Sequence, residues 1–277
     1  MAIVGAGRMG QGLALALDRS GTAVALLARR AHAVVEPLVL HEGPWHDATR
    51  RAGLVLIATP DDAIAEVAHE LFAQHAVGTE QVVLHLSGLL DRTVLEGLAP
   101  TGAGLGSFHP LQTISDPVTA PARLLGAYAG IEGDERARRA GESLADSLGM
   151  RPVQLTAQAK PAYHAAAVFA SNYVVTLAAV AGRLAGQAGV GSDDAFSLYL
   201  PLLRGAAGNL DAGPAAALTG PIARGDLATI AAHLEALGPD DRELYRRLGL
   251  ATLAIAMEAG LSDEAAAGVR VLLAGKR

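Results

Sequence analysis

The chain has 277 residues, of which 51% are hydrophobic and 4% aromatic, and its formal net charge is -6. This length suffices for two domains with their own cores. The negative charge and the lack of a clustered basic stretch argue against a nucleic-acid partner. The sequence contains no cysteine, which excludes disulfides, thiolate metal sites and cysteine nucleophiles. We expect a cytoplasmic protein, since no signal peptide precedes the first predicted strand.

The chain begins with a short apolar strand that leads into a glycine-rich turn. The strand Ala2–Val4 is followed by a G-x-G-x-x-G motif, made of Gly5, Ala6, Gly7, Arg8, Met9 and Gly10. Gly5 permits the tight turn, Gly7 lets the backbone approach a pyrophosphate, and Gly10 lets the next helix pack closely. That helix, predicted over 8–20, points its free N–H groups and positive dipole end at the phosphates. The motif in this context predicts dinucleotide binding.

The second strand ends in two arginines. The apolar stretch 23–28 predicts a strand, and Arg29 and Arg30 follow it, where NAD enzymes usually carry an acid that holds the ribose hydroxyls. A guanidinium can instead hold a ribose 2′-phosphate in a bidentate arrangement. We therefore predict NADP(H) as the cofactor. The alternative is that both arginines form the solvated end of a strand.

Two further strand ends carry small or polar residues. A buried strand over 54–57 precedes Thr59 and Pro60, and the next strand precedes Ser87 and Gly88. In parallel α/β sheets the ligand lies at the carboxyl ends of the strands. We expect these four residues to border the diphosphate and the nicotinamide.

The remaining strand signals complete the first domain. Apolar runs over 104–107, 127–131 and 152–155 alternate with helical stretches, which favours a parallel sheet covered on both faces. His109 follows the first of these runs, next to Pro110, and could bind or protonate a substrate oxygen. The alternative is a loop histidine that is bonded to a backbone carbonyl.

From residue 157 onward the strand signals vanish. Helices rich in Ala, Leu and Val are predicted over 157–188, 193–210, 214–223, 227–236, 241–259 and 262–274. We therefore predict a doubly wound α/β domain for cofactor binding over 1–155, followed by an all-α domain over 156–277.

The first of these helices is apolar enough over 165–181 to suggest a membrane span. It contains the polar residues Ser171 and Asn172, however, and Arg183 follows it. We expect no membrane contact. A buried helix between the subunits of a homodimer is the better interpretation.

A polar set lies on this same helix. Lys160 and His164 are one turn apart and share a face, Ser171 follows almost two turns later, and Asn172 falls slightly to one side. Polar residues in an apolar helix either satisfy one another in the core or face a cleft, and we favour the cleft for His164 and Asn172. Lys160 could also be a solvated residue at the helix start.

A third polar set occupies 218–226. Thr219 and Arg224 could hold a substrate carboxylate, or the segment could be a turn in which Asp226 caps the following helix. The nine histidines are scattered, and we expect no metal site.

Four of these segments together resemble a known family. They are Gly5–Gly10, Gly106–Gln112, Tyr163–Tyr173 and Leu218–Pro221. In this combination the chain resembles the Rossmann-like family with a conserved C-terminal domain of formerly unknown function (DUF2520), in the 6-phosphogluconate dehydrogenase-like superfamily. The resemblance covers nearly the whole chain. It implies similarity to ketopantoate reductases and pyrroline-5-carboxylate reductases, which usually pair through the helical domain.

The resemblance leaves the proton donor open. Ketopantoate reductases carry a lysine on the first helix of the second domain and an asparagine one turn later. Here His164 lies one turn after Lys160, and Asn172 lies two further turns on. Either Lys160 keeps the role with His164 as its partner, or His164 has replaced the lysine. The loop beginning at His109 is also similar to the His-Pro-Met loop of prephenate dehydrogenases, which faces the substrate.

Taken together, these features predict an NADPH-dependent reductase of a small keto acid, with ketopantoate as the first substrate to consider. We expect His164, with Lys160, to donate the proton, and Asn172, Ser171 and His109 to orient the substrate. One alternative is an imine reductase of the pyrroline-5-carboxylate kind or a prephenate-type dehydrogenase. Another is a non-enzymatic NADP(H) sensor.

Overall fold

The structure, a computed structural model, describes residues 1–191 and 195–275. It divides into two compact units, residues 1–174 and residues 175–277. The predicted domain boundary after residue 155 falls where the last strand ends, at Gln154. The first unit also includes the helix that follows this strand.

The first unit is built on one mixed sheet. Within the described residues this sheet has eight strands, in the order β3-β2-β1-β4-β5-β6-β7-β8. The strands are β1 Ala2–Val4, β2 Ala25–Ala28, β3 Leu40–Glu42, β4 Leu54–Ile57, β5 Val82–His85, β6 Gly104–Leu111, β7 Tyr128–Gly133 and β8 Arg151–Gln154. The reversal of strand order at β1 is the doubly wound arrangement that the sequence predicted. Strand β3 was not predicted, because it lies at the sheet edge and two of its three residues, His41 and Glu42, are exposed.

The expectation of an all-parallel sheet is wrong at one pair. Strands β6 and β7 are antiparallel, and β6 continues to Leu111 instead of ending at Ser107. The only α-helix between them, α4 (Ala120–Leu124), has five residues, about 7.5 Å of helix at 1.5 Å per residue. It is too short for a crossover along an eight-residue strand, so the chain returns antiparallel. His109 therefore lies inside a strand and not in a loop.

Helices cover both faces of the sheet. Alternate strand residues point to opposite faces, so Ile3 joins one core while Val4 joins the other. The first core includes residues of α1 (Arg8–Arg19), α4 and α5 (Glu135–Ser147). The second includes residues of α3 (Asp61–Ala73) and of a 3₁₀ segment over Arg92–Thr101. A short helix, α2 (His46–Arg50), follows β3.

The long helix predicted over 157–188 is two helices. These are α6 (Lys160–Ala170) and α7 (Asn172–Gln187), separated at Ser171. The Ser171 hydroxyl donates a 2.8 Å hydrogen bond to the Ala167 carbonyl, and its backbone leaves the helical region, with φ -127° and ψ -67°. Such back-bonding by serine is a recognised cause of helix bending.

The stretch 157–187 is also the one part of the described chain that is long and apolar enough to span a membrane by length and composition. Its most apolar window has a mean hydropathy of 1.6, and only 6% of that window is buried. Phe169 and Val175 are 69% and 70% exposed. Within a single chain, most of this apolar stretch is therefore left exposed.

The second unit contains only helices among its described residues. They are α7 from residue 175 onward, α8 Leu200–Asn209, α9 Pro214–Ala217, α10 Pro221–Arg224, α11 Leu227–Ala236, α12 Pro239–Glu258 and α13 Asp263–Ala274. The helix predicted over 214–223 is broken at 218–220, and the start of the one predicted over 193–210 lies outside the described residues. Asp226 caps α11 through Thr229, which agrees with the capping alternative for this segment.

Candidate functional site

All residues of the candidate site lie within the first unit, and the glycine turn forms one end of it. Gly5 has φ +121°, and a Cβ there would lie 2.6 Å from the Ala58 carbonyl oxygen. A Cβ on Gly10 would lie 2.0 Å from the carbonyl oxygen of Gly5. Gly7, at the N-terminus of α1, has no atom within 4 Å of its Cβ position. The turn is therefore tightly packed on its inner side and open at Gly7, where a pyrophosphate would approach.

One side chain connects this turn to the loop after β2. The Gln11 amide nitrogen donates to the carbonyl oxygens of Ala6, at 2.8 Å, and Ala33, at 3.1 Å. Its amide oxygen accepts from the Val35 backbone N–H at 2.9 Å. Because the bonds to Ala33 and Val35 each span more than twenty residues, Gln11 fixes the turn relative to the segment that follows Arg29 and Arg30.

A small cavity lies beside the turn, at the carboxyl ends of β1, β2 and β4. Its volume is about 170 Å³. Its lining residues are Val4, Gly5, Ala28, Arg29, Trp45, Thr59, Pro60, Ala63 and Val67. Two groups of this lining, the Thr59 hydroxyl and the Trp45 indole nitrogen, are buried and have no hydrogen-bond partner among the described residues. Buried polar groups are normally paired, so these two indicate room for a polar ligand.

The two arginines after β2 differ in their surroundings. Arg29 forms ion pairs with Glu66 at 3.2 Å and Glu70 at 2.9 Å, both on α3. Arg30 is exposed and forms no ion pair with any residue that the structure describes. The interpretation of Arg29 as a phosphate ligand must therefore account for two carboxylates that already hold its guanidinium.

The other end of the site begins after β5. The Ser87 hydroxyl donates to Asp61 at 2.7 Å and accepts from the backbone N–H groups of Leu89 and Leu90. These bonds fix the turn that presents Gly88. A Cβ on Gly88 would lie 2.6 Å from Nδ1 of His164 and 2.9 Å from Nε2 of His109. Two histidines from distant parts of the chain thus pack directly against this glycine.

Parallel strand register explains how these segments meet. His85 of β5 pairs with Ser107 of β6, so Ser87 and His109 lie two residues further along neighbouring strands. Helix α6 then adds His164. The fold thus brings the predicted residues at 87–88, 109 and 160–164 together. Strand register and the position of α6 cause this, and not the predicted end of a strand at residue 107.

Lys160 is fully buried, with 0% of its surface exposed. Its ammonium donates to the Ser87 carbonyl at 3.0 Å and to the Ser107 hydroxyl at 2.7 Å. The alternative of a solvated lysine is therefore wrong. Burial lowers the pKa of Lys160 to about 8, although nearby carboxylates, among them Glu132, oppose this shift. Lys160 is not among the residues that line the cavity described below.

Two buried titratable groups next to Lys160 were not predicted. Glu132 lies opposite Ser107 in the β6–β7 register and accepts from the Arg92 backbone N–H at 2.9 Å. Burial raises the pKa of this carboxyl. A glutamate inside the apolar strand YAGIEG was the signal that could have identified it.

His85 is the second such group. Its Nδ1 accepts from the Ser87 backbone N–H at 3.2 Å, so its Nε2 carries the proton and donates to the Asp91 carbonyl at 3.1 Å. Burial, and after it the charge of Lys160, lowers the pKa of His85 to about 4. This residue is therefore a neutral connector between two turns. A histidine in the apolar run VVLH was the signal.

A cavity of about 610 Å³ lies against the histidines. Its lining residues are His109, Leu111, Gln112, Thr113, Ile114, Tyr163, His164, Ala166, Ala167, Val168, Ala170, Ser171 and Asn172. The predicted residues His109, His164, Ser171 and Asn172 thus share one cavity. No lysine or arginine lines it among the residues that the structure describes. Its lining is apolar with hydrogen-bonding groups, as small-molecule sites usually are.

Inside this cavity His109 contacts two aromatic side chains. Its Nδ1 lies 3.1 Å from the Tyr163 hydroxyl, and the two rings meet edge to face at 5.6 Å. The His164 ring lies 5.9 Å away, also edge to face. Burial, and after it the charges of His164 and Lys160, lowers the pKa of His109 to about 4. His109 is therefore neutral at physiological pH. The alternative of a loop histidine bonded to a backbone carbonyl is wrong, because the partner of His109 is the Tyr163 hydroxyl.

No group of three or more potential metal ligands occurs among the described residues. The polar residues of the cavity are donors and acceptors of hydrogen bonds. They can orient a small carbonyl or imine compound, but the lining itself supplies no group for transferring electrons. A bound redox cofactor would have to supply that chemistry.

The fold matches several solved structures. A protein from Bacteroides fragilis assigned as an NADP oxidoreductase is 24% identical, with a TM-score of 0.74 over 91% of this chain and 97% of that one. Protein TM1727 from Thermotoga maritima is 22% identical, with a TM-score of 0.70 over 93% and 98% of the two chains. At these identities the likeness is one of fold.

A third structure was solved with a cofactor. Pyrroline carboxylate reductase from Plasmodium falciparum, with NADP bound, is 12% identical, with a TM-score of 0.59 over 98% of this chain and 97% of that one. A search of curated proteins finds no match.

Two family models cover most of the chain. The Rossmann-like domain matches residues 1–110, which include the glycine turn and end at the cavity strand β6. The domain of unknown function DUF2520 matches residues 127–252, from β7 into α12. The predicted family resemblance is confirmed: the chain carries a Rossmann-like domain followed by a DUF2520 domain.

Proposed function

We propose that this protein is an NADP(H)-dependent oxidoreductase that reduces a small carbonyl or imine compound. The observation that carries this proposal is the position of His109 and His164 against Gly88. Gly88 follows β5, two strands away from the glycine turn that follows β1 in the sheet. A dinucleotide that lies along the carboxyl edge from the turn would end beside the two histidines.

The residues present fit an NADP(H) cofactor. Open space at Gly7 suits the pyrophosphate, and the buried unpaired groups of Thr59 and Trp45 suit the ribose and adenine region. Arg30, with Arg29, would hold the 2′-phosphate. The Bacteroides fragilis protein of similar fold is assigned as an NADP oxidoreductase, and the Plasmodium falciparum enzyme was solved with NADP bound, which supports the same cofactor.

When bound, NADPH supplies the hydride, and the chain must orient the acceptor and deliver the proton that completes the reduction. His109 and His164 are the candidates to hydrogen-bond the acceptor, because both line the cavity, and His164 would deliver the proton. Ser171 and Asn172 line the same cavity and would orient the rest of the substrate. Lys160, predicted as a possible proton donor, does not line the cavity. It would instead hold the Ser87 carbonyl and thereby fix the Gly88 turn.

Ketopantoate is the first substrate that we propose, because of the resemblance to ketopantoate reductases. The cavity lining favours a second candidate, an uncharged cyclic imine, since no lysine or arginine of the described lining would bind a carboxylate. A prephenate-type dehydrogenase would need such a cation as well.

The test is NADPH oxidation by the purified protein, with ketopantoate and with uncharged cyclic imines, against a control without substrate. We expect saturable turnover that is much weaker with NADH, and its loss in His164→Ala. Full turnover by His164→Ala would overturn the assignment of this residue. Binding of NADPH without consumption in any of these assays would favour a sensor.

We also propose a homodimer formed through the helical region. Large apolar side chains of α7, including Val174, Val175 and Leu177, are exposed. Burying such a face against a second copy would remove it from water. Light scattering should give twice the mass of the 28.2 kDa chain. A monomer, or a protein that requires detergent to stay in solution, would contradict this.

A further inference from the structure

The pairing of Tyr163 with His109 determines which nitrogen of the histidine can serve the cavity. Tyr163 lies on α6 and His109 on β6, and the hydroxyl–Nδ1 distance is 3.1 Å. A Cβ on Gly130, which pairs with His109 across β6 and β7, would lie 2.8 Å from the Tyr163 hydroxyl. The fold thus leaves space at this point for the phenol to reach the imidazole.

The direction of this hydrogen bond follows from the chemistry of the two groups. A neutral imidazole has one donor nitrogen and one acceptor nitrogen. A phenol is a strong donor and a weak acceptor, whereas an unprotonated ring nitrogen is a strong acceptor. The favoured arrangement is therefore O–H···Nδ1, in which Tyr163 donates. Burial raises the pKa of Tyr163, so this group keeps its proton.

We propose that Tyr163 is a positioning residue that holds His109 in the tautomer with its proton on Nε2. That nitrogen lies beside Gly88 and, among the described residues, makes no hydrogen bond of its own. His109 then presents a fixed N–H donor at the point where the carbonyl oxygen or imine nitrogen of a substrate would lie. This role rests on the proposed function, but the tautomer itself does not.

The chain contains a matched control for this pair. His233 and Tyr245 of the second unit form the same contact, with 3.0 Å between Nδ1 and the hydroxyl and an edge-to-face ring distance of 5.7 Å. This second pair is exposed and contributes no residue to the cavity. Removing its hydroxyl should change the tautomer of His233 without changing cofactor binding or turnover.

The experiment is long-range ¹H–¹⁵N NMR of the histidine rings in the wild type, Tyr163→Phe and Tyr245→Phe. In the wild type we expect His109 with an acceptor Nδ1 and a protonated Nε2. Tyr163→Phe should give His109 a mixture of tautomers and lower kcat about 10-fold, with the KM for NADPH unchanged. Tyr245→Phe should leave His109 and kcat as they are.

Two results would overturn the proposal. One is a wild-type His109 that carries its proton on Nδ1. The other is a Tyr163→Phe protein in which the His109 signals and kcat are both unchanged. If no tested substrate is turned over while the ring signals behave as expected, the proposed function fails and the tautomer assignment stands. The wild-type spectrum needs no variant, so a misfolded Tyr163→Phe protein would not prevent the test.

Discussion

The glycine turn and the histidine cluster are built in different ways. The turn uses six consecutive residues, Gly5–Gly10, and its inner side packs against the backbone of Ala58 and Thr59. The cluster assembles Gly88 from the turn after β5, His109 from β6 and His164 from α6. The turn is a local motif of consecutive residues, whereas the cluster exists only if strand register and helix placement are both correct. Substitutions should therefore separate the two regions by what they damage.

The largest contrast is expected within the turn. Alanine in place of glycine inside a helix normally stabilises by about 1 kcal/mol. In Gly10→Ala the new Cβ would meet the Gly5 carbonyl at 2.0 Å, so we expect a loss of several kcal/mol in the free energy of unfolding. In Gly7→Ala nothing lies within 4 Å, and only NADPH affinity should fall. Urea unfolding and fluorescence titration measure the two effects, and equal loss of stability in both variants would contradict this.

A substitution in the histidine cluster should lower turnover and leave stability nearly unchanged. In Gly88→Ala the added methyl group would meet Nδ1 of His164 at 2.6 Å and displace side chains of the cavity. We expect turnover to fall about 100-fold, which corresponds to about 2.7 kcal/mol. The unfolding midpoint should change little, because the histidine side chains can shift. The control is binding of adenosine 2′,5′-bisphosphate, which should be unchanged; turnover that survives intact would contradict the geometry.

The pH dependence of stability tests the buried connector His85. Its pKa is lowered from 6.5 to about 4 in the folded state, so between these values the unfolded chain binds more protons. Stability should therefore fall as the pH drops through this window, by about 1.4 kcal/mol per pH unit for this one group. We expect the free energy of unfolding, measured with urea, to depend less steeply on pH in His85→Gln. The difference in slope from the wild type is the contribution of His85. His75→Gln, in an exposed turn, is the control, and equal slopes in all three proteins would contradict the assignment.

The smallest expected effect concerns cofactor preference. Glu66 and Glu70 hold Arg29, and their charges would also repel a nearby 2′-phosphate. In Glu66→Gln we expect NADPH to bind a few-fold more tightly, in keeping with less than about 1 kcal/mol for an exposed pair. Arg30→Ala should weaken NADPH binding and leave NADH binding unchanged. If both variants changed the two affinities equally, neither residue would lie near the 2′-phosphate.

The sequence predicts the turn better than the cluster for a physical reason. A glycine pattern after an apolar strand acts through local backbone conformation, so Gly5, Gly7 and Gly10 could be assigned directly. Glu132 and His85 each stand out only as a polar residue within an apolar strand. Their importance comes from burial next to Lys160, which depends on the tertiary fold, and they were therefore missed.

Features to which the spacing of apolar residues does not respond explain the remaining errors. The antiparallel return of β7 depends on the short helix α4, and the break at Ser171 depends on one side-chain hydrogen bond. The periodicity of apolar residues is insensitive to both. Lys160 was identified as a candidate residue, but its complete burial was not predicted, because proline at the next position is equally compatible with a solvated helix start.

The most direct test of the account is whether the nicotinamide end of the cofactor reaches the histidine cluster. Ring signals of His109 and His164 would be followed by NMR during titration with NADPH and, separately, with adenosine 2′,5′-bisphosphate, which lacks the nicotinamide. We predict that NADPH shifts both histidines, while the bisphosphate shifts only signals near the glycine turn. If saturating NADPH moved the turn signals and left both histidines unchanged, the proposed active site would be wrong.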